Sequence, residues 1–295
     1  MNSIFTGTAT ALVTPMRDDH SVDYDAFGRH IDFQIASGVN ALVAVGPTGE
    51  SDTLEYAEQA EVIRFAVERA AGRVPVIAGA GTNNTLHVLE NVRNACAAGA
   101  DALLVVTPYY NKATQNGLIA HFTAVADTAT VPVILYNVPG RTGCNLLPAT
   151  AAKLAEHPRI AAIKEASGNM AQVVELMRLC RGRLDVYSGE DPLVVPTMAM
   201  GGKGVISVVS NVVPRECTAM TDACLRGDYA EAADWQCRLL PLIQALFCEV
   251  NPIPAKAAVA AMGFGRENLR MPLSRMEEPN RQRLLAAMRE LGISV

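Results

Sequence analysis

Short apolar runs recur along the chain and constrain its fold more than any other feature of the sequence. Most are rich in Val, Ile or Leu and do not alternate polar with apolar residues, which is typical of parallel strands buried on both faces. Between them lie segments with apolar residues at i, i+3 and i+4 spacing, which predict helices. The runs cover residues 8–15, 41–47, 74–81, 102–108, 131–139, 160–166, 184–189 and 204–211, and the clearest helical segments cover 26–38, 57–72, 85–99 and 170–182.

Eight such runs alternating with helical patterns predict an α/β fold, a (β/α)8 TIM barrel. A doubly wound open sheet is the alternative, but it usually has fewer strands, and no GxGxxG sequence follows the first run. After residue 211 the strand pattern stops and the chain reads as helical, with breaks near 251–254 and 271–274. We therefore predict a barrel over residues 1–225 and a C-terminal helical region, packed on the barrel, over residues 226–295.

Composition and charge narrow the function classes. The chain has 295 residues, 50% of them hydrophobic, with a net charge of −5 and no basic stretch, which argues against nucleic acid or an anionic membrane as a partner. No apolar run is long enough to span a membrane, and the N-terminus lacks the pattern of a signal peptide, so we predict a cytoplasmic protein. The 7 cysteines form no CxxC pair, which predicts free thiols. The histidines are scattered along the chain, and we therefore predict no metal site.

Polar residues gather after several runs, at the carboxyl ends of the predicted strands, where a barrel has its active site. Taken singly these residues are weak signals, because Arg141 reads as a surface charge and Glu50 and Glu190 read as carboxylates at helix N-termini. The barrel topology brings them to one mouth, however. The segments are GPTGES (46–51), PYYNK (108–112), YNVPGRTG (136–143), SGED (188–191) and SN (210–211).

Lys164 stands at the end of the apolar stretch 160–163. Either its ammonium group reaches water from the end of the strand, or it is a buried amine with a lowered pKa. A neutral amine can attack a ketone and form a Schiff base, and a neighbouring tyrosine such as Tyr136 can move the protons. The other lysines considered lie in or next to polar or glycine-rich segments and are expected to keep a pKa of about 10.4; they are Lys112, Lys153, Lys203 and Lys256.

Two further features indicate the substrate class. The glycine-bounded turn GPTGES can hold a carboxylate through its amide groups without a metal. Arg141 can bind a second carboxylate through two parallel hydrogen bonds. The residues therefore predict a 2-oxo acid as one substrate and a second substrate that carries another acid group.

The motifs FTGTATALVTPM, GPTGES, TPYYNK, YNVPGRTG, IKEASGN, GVISVVSN and NPIPAK, in this order, resemble the pyruvate-dependent Schiff-base lyase and synthase family. That family includes dihydrodipicolinate synthase and N-acetylneuraminate lyase, and the resemblance covers essentially the whole chain. This chain resembles the synthases more than the lyases. Arg141 matches the position at which the synthases bind the carboxylate of aspartate semialdehyde, and the sugar-acid lyases generally lack an arginine there. The resemblance implies condensation of pyruvate with L-aspartate-4-semialdehyde through a lysine Schiff base, in lysine and diaminopimelate biosynthesis, without a cofactor.

The same resemblance implies roles for individual positions. Lys164 matches the Schiff-base lysine, Tyr136 the proton-transfer tyrosine and Tyr110 the tyrosine that crosses a tight-dimer interface into the neighbouring site. It also implies a homo-oligomer, a tetramer built from two tight dimers. The positions that match substrate-binding residues are Thr48, Gly49, Arg141, Gly189 and Ile206, with Asn251 in support, and those that match a regulatory lysine site are Ser51, Tyr56, Asn83, His87 and Tyr109.

Pro47 departs from the family pattern. The synthases usually read GTTGES, and the hydroxyl of the first threonine lies between the two tyrosines of the proton relay. Proline has neither that hydroxyl nor a backbone N–H. Two alternatives therefore stay open: a pyruvate aldolase or dehydratase acting on a sugar-derived 2-oxo acid, and a weakly active homologue kept for binding or assembly.

Overall fold

A computed structural model describes residues 3–295 of the chain. Its centre is a closed barrel of parallel strands in sequence order, which confirms the predicted (β/α)8 architecture. The strands are β1 (Gly7–Ala11), β2 (Ala41–Ala44), β3 (Val76–Gly79), β4 (Ala102–Val106), β5 (Val133–Asn137), β6 (Ile160–Glu165), β7 (Asp185–Ser188) and β8 (Gly204–Ser207).

Helices surround the barrel and continue beyond it. The four clearest predicted segments are all helices, with ends that differ from the prediction by only one or two residues. The helices are α1 (Tyr24–Ala36), α2 (Tyr56–Ala70), α3 (Thr85–Ala97), α4 (Gln115–Thr128), α5 (Pro139–Thr142), α6 (Pro148–Leu154), α7 (Met170–Cys180), α8 (Val194–Ala199), α9 (Pro214–Arg226), α10 (Tyr229–Leu246), α11 (Ile253–Ala261) and α12 (Glu278–Glu290).

The strands are shorter than the apolar runs that predict them. The last run covers 204–211, for example, but β8 ends at Ser207 and residues Val209–Asn211 form a 3₁₀ turn. These turn residues are still fully buried, and Val208 and Val209 pack into the cluster of the C-terminal helices, so the apolar sequence continues for two residues after the strand has ended. An apolar run here reports burial, and the end of the strand is set by the turn that follows.

Closure of the barrel depends on a glycine where β8 pairs with β1. Gly204 lies opposite Gly7 and has a φ of +154°. A Cβ atom at Gly204 would lie 1.9 Å from the carbonyl oxygen of Gly7, closer than any real contact. The first and last strands can therefore approach to hydrogen-bonding distance only because this position has no side chain.

The C-terminal helices pack on one side of the barrel around their own hydrophobic cluster. Leu239 and Leu242 of α10 and Leu284 and Met288 of α12 are fully buried there, together with residues from β8 and α9. The boundary predicted at residues 225 and 226 falls at the end of α9, and the division into two parts remains a prediction. Within residues 3–295, the longest apolar stretches of helix fall short of what crossing a membrane requires.

Candidate active site

Lys164 lies inside β6, opposite Tyr136 of β5 in the parallel register. Only 5% of Lys164 is exposed, and its Nζ lies 4.3 Å from the centre of the Tyr136 ring. A Cβ atom at Gly189 would come within 2.9 Å of Cγ and Cε of Lys164. The lysine therefore extends along a channel that a glycine on one side and an aromatic ring on the other keep open.

This environment changes the acidity of both side chains. Burial lowers the pKa of Lys164 to about 8, although the nearby carboxylates of Asp191 and Glu190 favour its ammonium form. Burial also raises the pKa of Tyr136 to about 12. Near neutral pH a part of the lysine is therefore a free amine, while the tyrosine keeps its proton and can donate it.

A 3₁₀ turn, Pro47–Gly49, forms another wall of the site directly after β2. The Nδ2 atom of Asn251 donates a hydrogen bond of 2.9 Å to Oγ1 of Thr48, and the hydroxyl of Thr14 donates to the carbonyl oxygen of Gly49 at 2.8 Å. The turn is thus held by the segment that follows β1 and by the segment that precedes α11. This contact supports the predicted auxiliary position of Asn251.

Glu50 anchors the same turn through a buried ion pair, which corrects its interpretation as a helix N-terminal carboxylate. Its backbone is left-handed, with a φ of 58°, and its carboxylate pairs with Lys256 of α11, both side chains being almost fully buried. The backbone N–H of Arg270 donates to the other carboxylate oxygen at 3.0 Å. The guanidinium of Arg270 in turn binds Glu58 of α2 through two hydrogen bonds.

The prediction of an ordinary pKa for Lys256 is therefore wrong. Burial lowers its pKa, and the charge of Glu50 opposes that effect. The sequence did indicate that Lys256 is buried, because it is the one charged residue of an otherwise apolar helix, Ile253–Ala261. It is the same kind of signal that singled out Lys164.

Only some of the predicted substrate-binding residues line the same cavity. Gly49 and Ile206 lie behind the cavity wall: the amide of Gly49 donates to the carbonyl of Gly46, and Ile206 belongs to the core inside the barrel. Tyr110 is 91% exposed and has a φ of 69°, outside the cavity of its own chain. The residues that do line one inner cavity are Thr48, Tyr136, Arg141, Lys164 and Gly189, together with Pro47, Glu190 and Asn251.

The inner cavity opens into a wider mouth of about 310 Å³, which Arg141, Tyr109 and Asp52 also line. A separate cavity of about 180 Å³ lies on the other side of Asp52 and Tyr109, and Ser51 and Tyr56 contribute to it. The hydroxyl of Tyr109 donates to Oδ1 of Asp52 at 2.9 Å, so this pair separates the two spaces.

Among the remaining candidate regulatory residues, His87 stacks edge-on against Tyr56, with their ring centres 5.7 Å apart. The backbone carbonyl of Asn83 accepts a hydrogen bond from Asn111 at 2.9 Å. Asp52 is not among the predicted site residues, although it follows the GPTGES motif directly.

A buried amine of lowered pKa, beside a protonated tyrosine at the mouth of a (β/α)8 barrel, defines the class of enzyme that forms Schiff bases with 2-oxo acids. The model of the dihydrodipicolinate synthetase family matches residues 4–291. The chain belongs to this family.

Individual relatives agree with that assignment over their full length. A 4-hydroxy-tetrahydrodipicolinate synthase of Lachnoclostridium phytofermentans is 51% identical over 99% of both chains. A crystal structure of the dihydrodipicolinate synthase of Acinetobacter baumannii complexed with pyruvate is 40% identical, with a TM-score of 0.96 over 98% of this chain and 99% of that one. A structure of the enzyme of Cyanidioschyzon merolae with lysine bound is 39% identical, with a TM-score of 0.95 over 99% of this chain and 100% of that one.

The buried ion pair of Glu50 and Lys256 gives a prediction about stability. The change Lys256→Met leaves the charge of Glu50 buried without its cation, and we expect it to lower the free energy of unfolding by about 3–5 kcal/mol. Urea or thermal unfolding measures this. Lys153→Met, which removes an exposed ion pair with Glu156, is the matched control and should change little. The double variant Glu50→Gln, Lys256→Met should recover part of the loss, and a stable single variant would contradict the prediction.

Proposed function

We propose that this chain condenses pyruvate with L-aspartate-4-semialdehyde through a Schiff base on Lys164, in lysine and diaminopimelate biosynthesis. The observation that carries the proposal is the position of Lys164, buried against Tyr136 with its pKa lowered to about 8. The family and the names of the full-length relatives support the choice of substrates. Measuring the product formed from the two substrates, with sugar-derived 2-oxo acids as competing substrates, tests it.

The first half of the reaction takes place in the inner cavity. The neutral amine of Lys164 attacks the keto carbon of pyruvate, water leaves, and an iminium forms whose positive charge draws electrons from the methyl group. Loss of a methyl proton gives the nucleophilic enamine. Tyr136, protonated at neutral pH, supplies and receives protons in these steps, while Thr48 and its turn hold the pyruvate carboxylate.

The second half uses the wider mouth. Arg141 lines both cavities, so a carboxylate bound to it can place the aldehyde carbon of the second substrate over the enamine. The new C–C bond leaves an alkoxide that Tyr136 can protonate. We assign Gly189 to the space that the lysine adduct needs, and Gly49 and Ile206 to the walls behind the substrate rather than to direct contact.

We further propose that the chain works as a homo-oligomer, a tetramer of two tight dimers. Support comes from Tyr110, a large aromatic side chain that is 91% exposed on a left-handed backbone, because such an arrangement suits a contact with a second chain. In the tight dimer it would complete the proton relay of the neighbouring site. Sedimentation velocity measures the oligomeric state, and the cytoplasmic location remains a prediction from the sequence.

The assignment of Lys164 leads to a pH-dependent prediction. Incubation with pyruvate, stopped by excess borohydride, should place one reduced adduct on Lys164, detectable by peptide mass. With a pKa of about 8 the neutral fraction is about 1% at pH 6 and about half at pH 8, so the initial rate of adduct formation should rise across this range. Lys164→Arg is the control that abolishes the adduct. Labelling of Lys256, or a rate that rises only near pH 10, would contradict the assignment.

Arg141 gives a prediction about the second substrate. Arg141→Ala should leave formation of the pyruvate adduct largely intact, because Thr48 and its turn hold pyruvate. The value of kcat/KM for aspartate semialdehyde should fall about ten- to a hundredfold, the effect of losing about 1.5–3 kcal/mol from a paired charged contact. Steady-state kinetics and adduct trapping measure the two effects separately. A variant that no longer forms the pyruvate adduct would show that the role is assigned wrongly.

Pro47 lies beside Tyr136 and Arg141 in both cavities, where it removes the hydroxyl of the usual relay. We expect Pro47→Thr to raise kcat about tenfold, since a positioned proton-transfer group contributes about 10²–10⁴-fold and water can replace part of it. Pro47→Val is the matched control, with the shape of threonine and no hydroxyl. Equal changes in the two variants, or a loss of activity with threonine, would indicate that Pro47 is adapted to the present substrate.

The cavity next to Tyr56 gives a prediction about regulation, since the related enzyme of Cyanidioschyzon merolae has been crystallised with lysine bound. We expect weak or absent inhibition by lysine, because the family resemblance puts His87 at the position where relatives that lysine inhibits commonly have a carboxylate. An imidazole cannot replace that carboxylate opposite the ammonium group of the ligand. The carboxylate of Asp52 in this cavity is already bound by Tyr109. Initial rates at increasing lysine test this. Half-inhibition below millimolar lysine would contradict it and make Asp52 the partner of the ammonium group.

A further inference from the structure

The cavity around Lys164 contains a carboxylate that none of the steps above uses. Glu190 follows β7, is partly buried and lines the inner cavity with Lys164 and Arg141. Its backbone is fixed, because its N–H donates to Oγ of Ser188 at 3.2 Å and its carbonyl accepts from the same hydroxyl at 2.8 Å. Its carboxylate, in contrast, makes no hydrogen bond or ion pair with any residue from 3 to 295.

The other carboxylates near the site are all engaged. Glu50 pairs with Lys256 and Asp52 accepts from Tyr109. Oδ2 of Asp191 accepts from the backbone N–H groups of residues 208 and 209, while its Oδ1 is buried without a partner in the part of the chain that the structure describes, and Glu165 accepts from residues 137 and 167. Glu190 differs from all of these because neither oxygen of its carboxylate has a partner among residues 3–295. It is partly exposed and lines the cavity, where a cation that arrives with the substrate can replace water as its partner.

The acceptor of the proposed reaction brings such a cation. Aspartate semialdehyde carries three functional groups: a carboxylate, an aldehyde and an α-ammonium group. The mechanism given above provides Arg141 for the carboxylate and the enamine on Lys164 for the aldehyde, and it leaves the ammonium group without a partner. Glu190 has the charge and the position to bind it.

We propose that Glu190 binds the α-ammonium group of the acceptor and removes one proton from it before ring closure. The inference rests on the proposed function and extends it from the first bond-forming step to the release of the product. It also gives the site a means of preferring amino-acid aldehydes, because an acceptor without an amine makes no contact with Glu190.

The proton balance of ring closure shows why a base is needed. After the C–C bond has formed, the adduct is an iminium on Lys164 and its α-nitrogen is still an ammonium, which has no free electron pair. Glu190 takes one proton, and the neutral nitrogen attacks the iminium carbon to give a diamine in which both nitrogens share that carbon. A proton passes from the attacking nitrogen to the lysine nitrogen, and the bond between the carbon and the lysine nitrogen breaks. The cyclic iminium then loses its proton to the free amine, leaving a cyclic imine, the ammonium form of Lys164 and protonated Glu190. Both side chains release their added proton to water before the next turnover.

The surroundings of Glu190 fit a base of this kind. Burial and the negative charge of Asp191 raise its pKa, while Lys164 and Arg141 oppose the effect. A carboxylate whose pKa lies closer to the working pH accepts a proton more readily in the transition state than an ordinary surface carboxylate.

The test compares Glu190→Gln with the wild type on two acceptors. Aspartate semialdehyde carries the ammonium group, and succinate semialdehyde has the same chain without it. We expect kcat/KM for aspartate semialdehyde to fall about a hundredfold or more, as for loss of a general base and of its ion pair. The trapped adduct of pyruvate with succinate semialdehyde on Lys164 should form at a rate within about twofold of the wild type. With aspartate semialdehyde, borohydride should trap an acyclic aldol adduct on Lys164 of the variant, because the C–C bond forms before the blocked step.

Two control variants separate this proposal from a structural effect, and the wild type separates it from failure of the proposed function. Glu190→Asp, which keeps a carboxylate, should recover part of the activity, and Glu156→Gln removes an exposed carboxylate outside the barrel. Equal losses with both acceptors, or no loss with either, would overturn the role of Glu190 while the wild type still turns over aspartate semialdehyde. A wild type that forms the pyruvate adduct but does not consume aspartate semialdehyde would overturn the proposed function, and the role of Glu190 with it.

Discussion

Removal of the Lys164 amine from water is the interaction on which the rest of the site depends. In water this amine would be almost entirely protonated at neutral pH and could not attack a ketone. The barrel interior removes water from the amine without any additional structure, because the strands β5, β6 and β7 supply walls that are buried for packing reasons anyway. Gly189 leaves room for the extended side chain, and Tyr136 covers it with a ring face that tolerates a positive charge. The chemistry thus uses a property that the fold already has.

A second constraint is that the turn after β2 must stay in place above this lysine. A left-handed residue, Glu50, follows the turn directly. A buried ion pair with Lys256 and a hydrogen bond from Asn251 to Thr48 connect it to the C-terminal helical region. That region therefore contributes to the site as well as to the core, which explains why a barrel that is already closed carries further helices on one side.

The sequence predicts the barrel and the central lysine well, for reasons that are local. Strand burial on both faces produces continuous apolar runs, and a charged residue at the end of such a run, Lys164, stands out against it. The ends of the strands are less predictable, because residues such as Val209 stay buried after β8 has ended. The pair Glu50 and Lys256 could not be predicted from either local segment, since its partners are 206 positions apart and meet only in the folded chain. The lack of a partner for the Glu190 carboxylate among residues 3–295 could not be predicted from the sequence for a related reason: it depends on all the residues that surround Glu190 in the folded chain.

The arrangement of the two cavities also bears on the order of the reaction. Lys164 and Arg141 line the inner cavity together, and Arg141 lines the wider cavity as well. The enamine that attacks the acceptor exists only after pyruvate has reacted with Lys164, so pyruvate has to form its adduct before the acceptor reacts. The acceptor then covers the adduct and excludes water from the iminium, which protects it from hydrolysis until the C–C bond has formed. The order of the reaction, the protection of the intermediate and the choice of acceptor all depend on one arrangement: the nucleophile, Lys164, and the group that selects the second substrate, Arg141, line the same cavity.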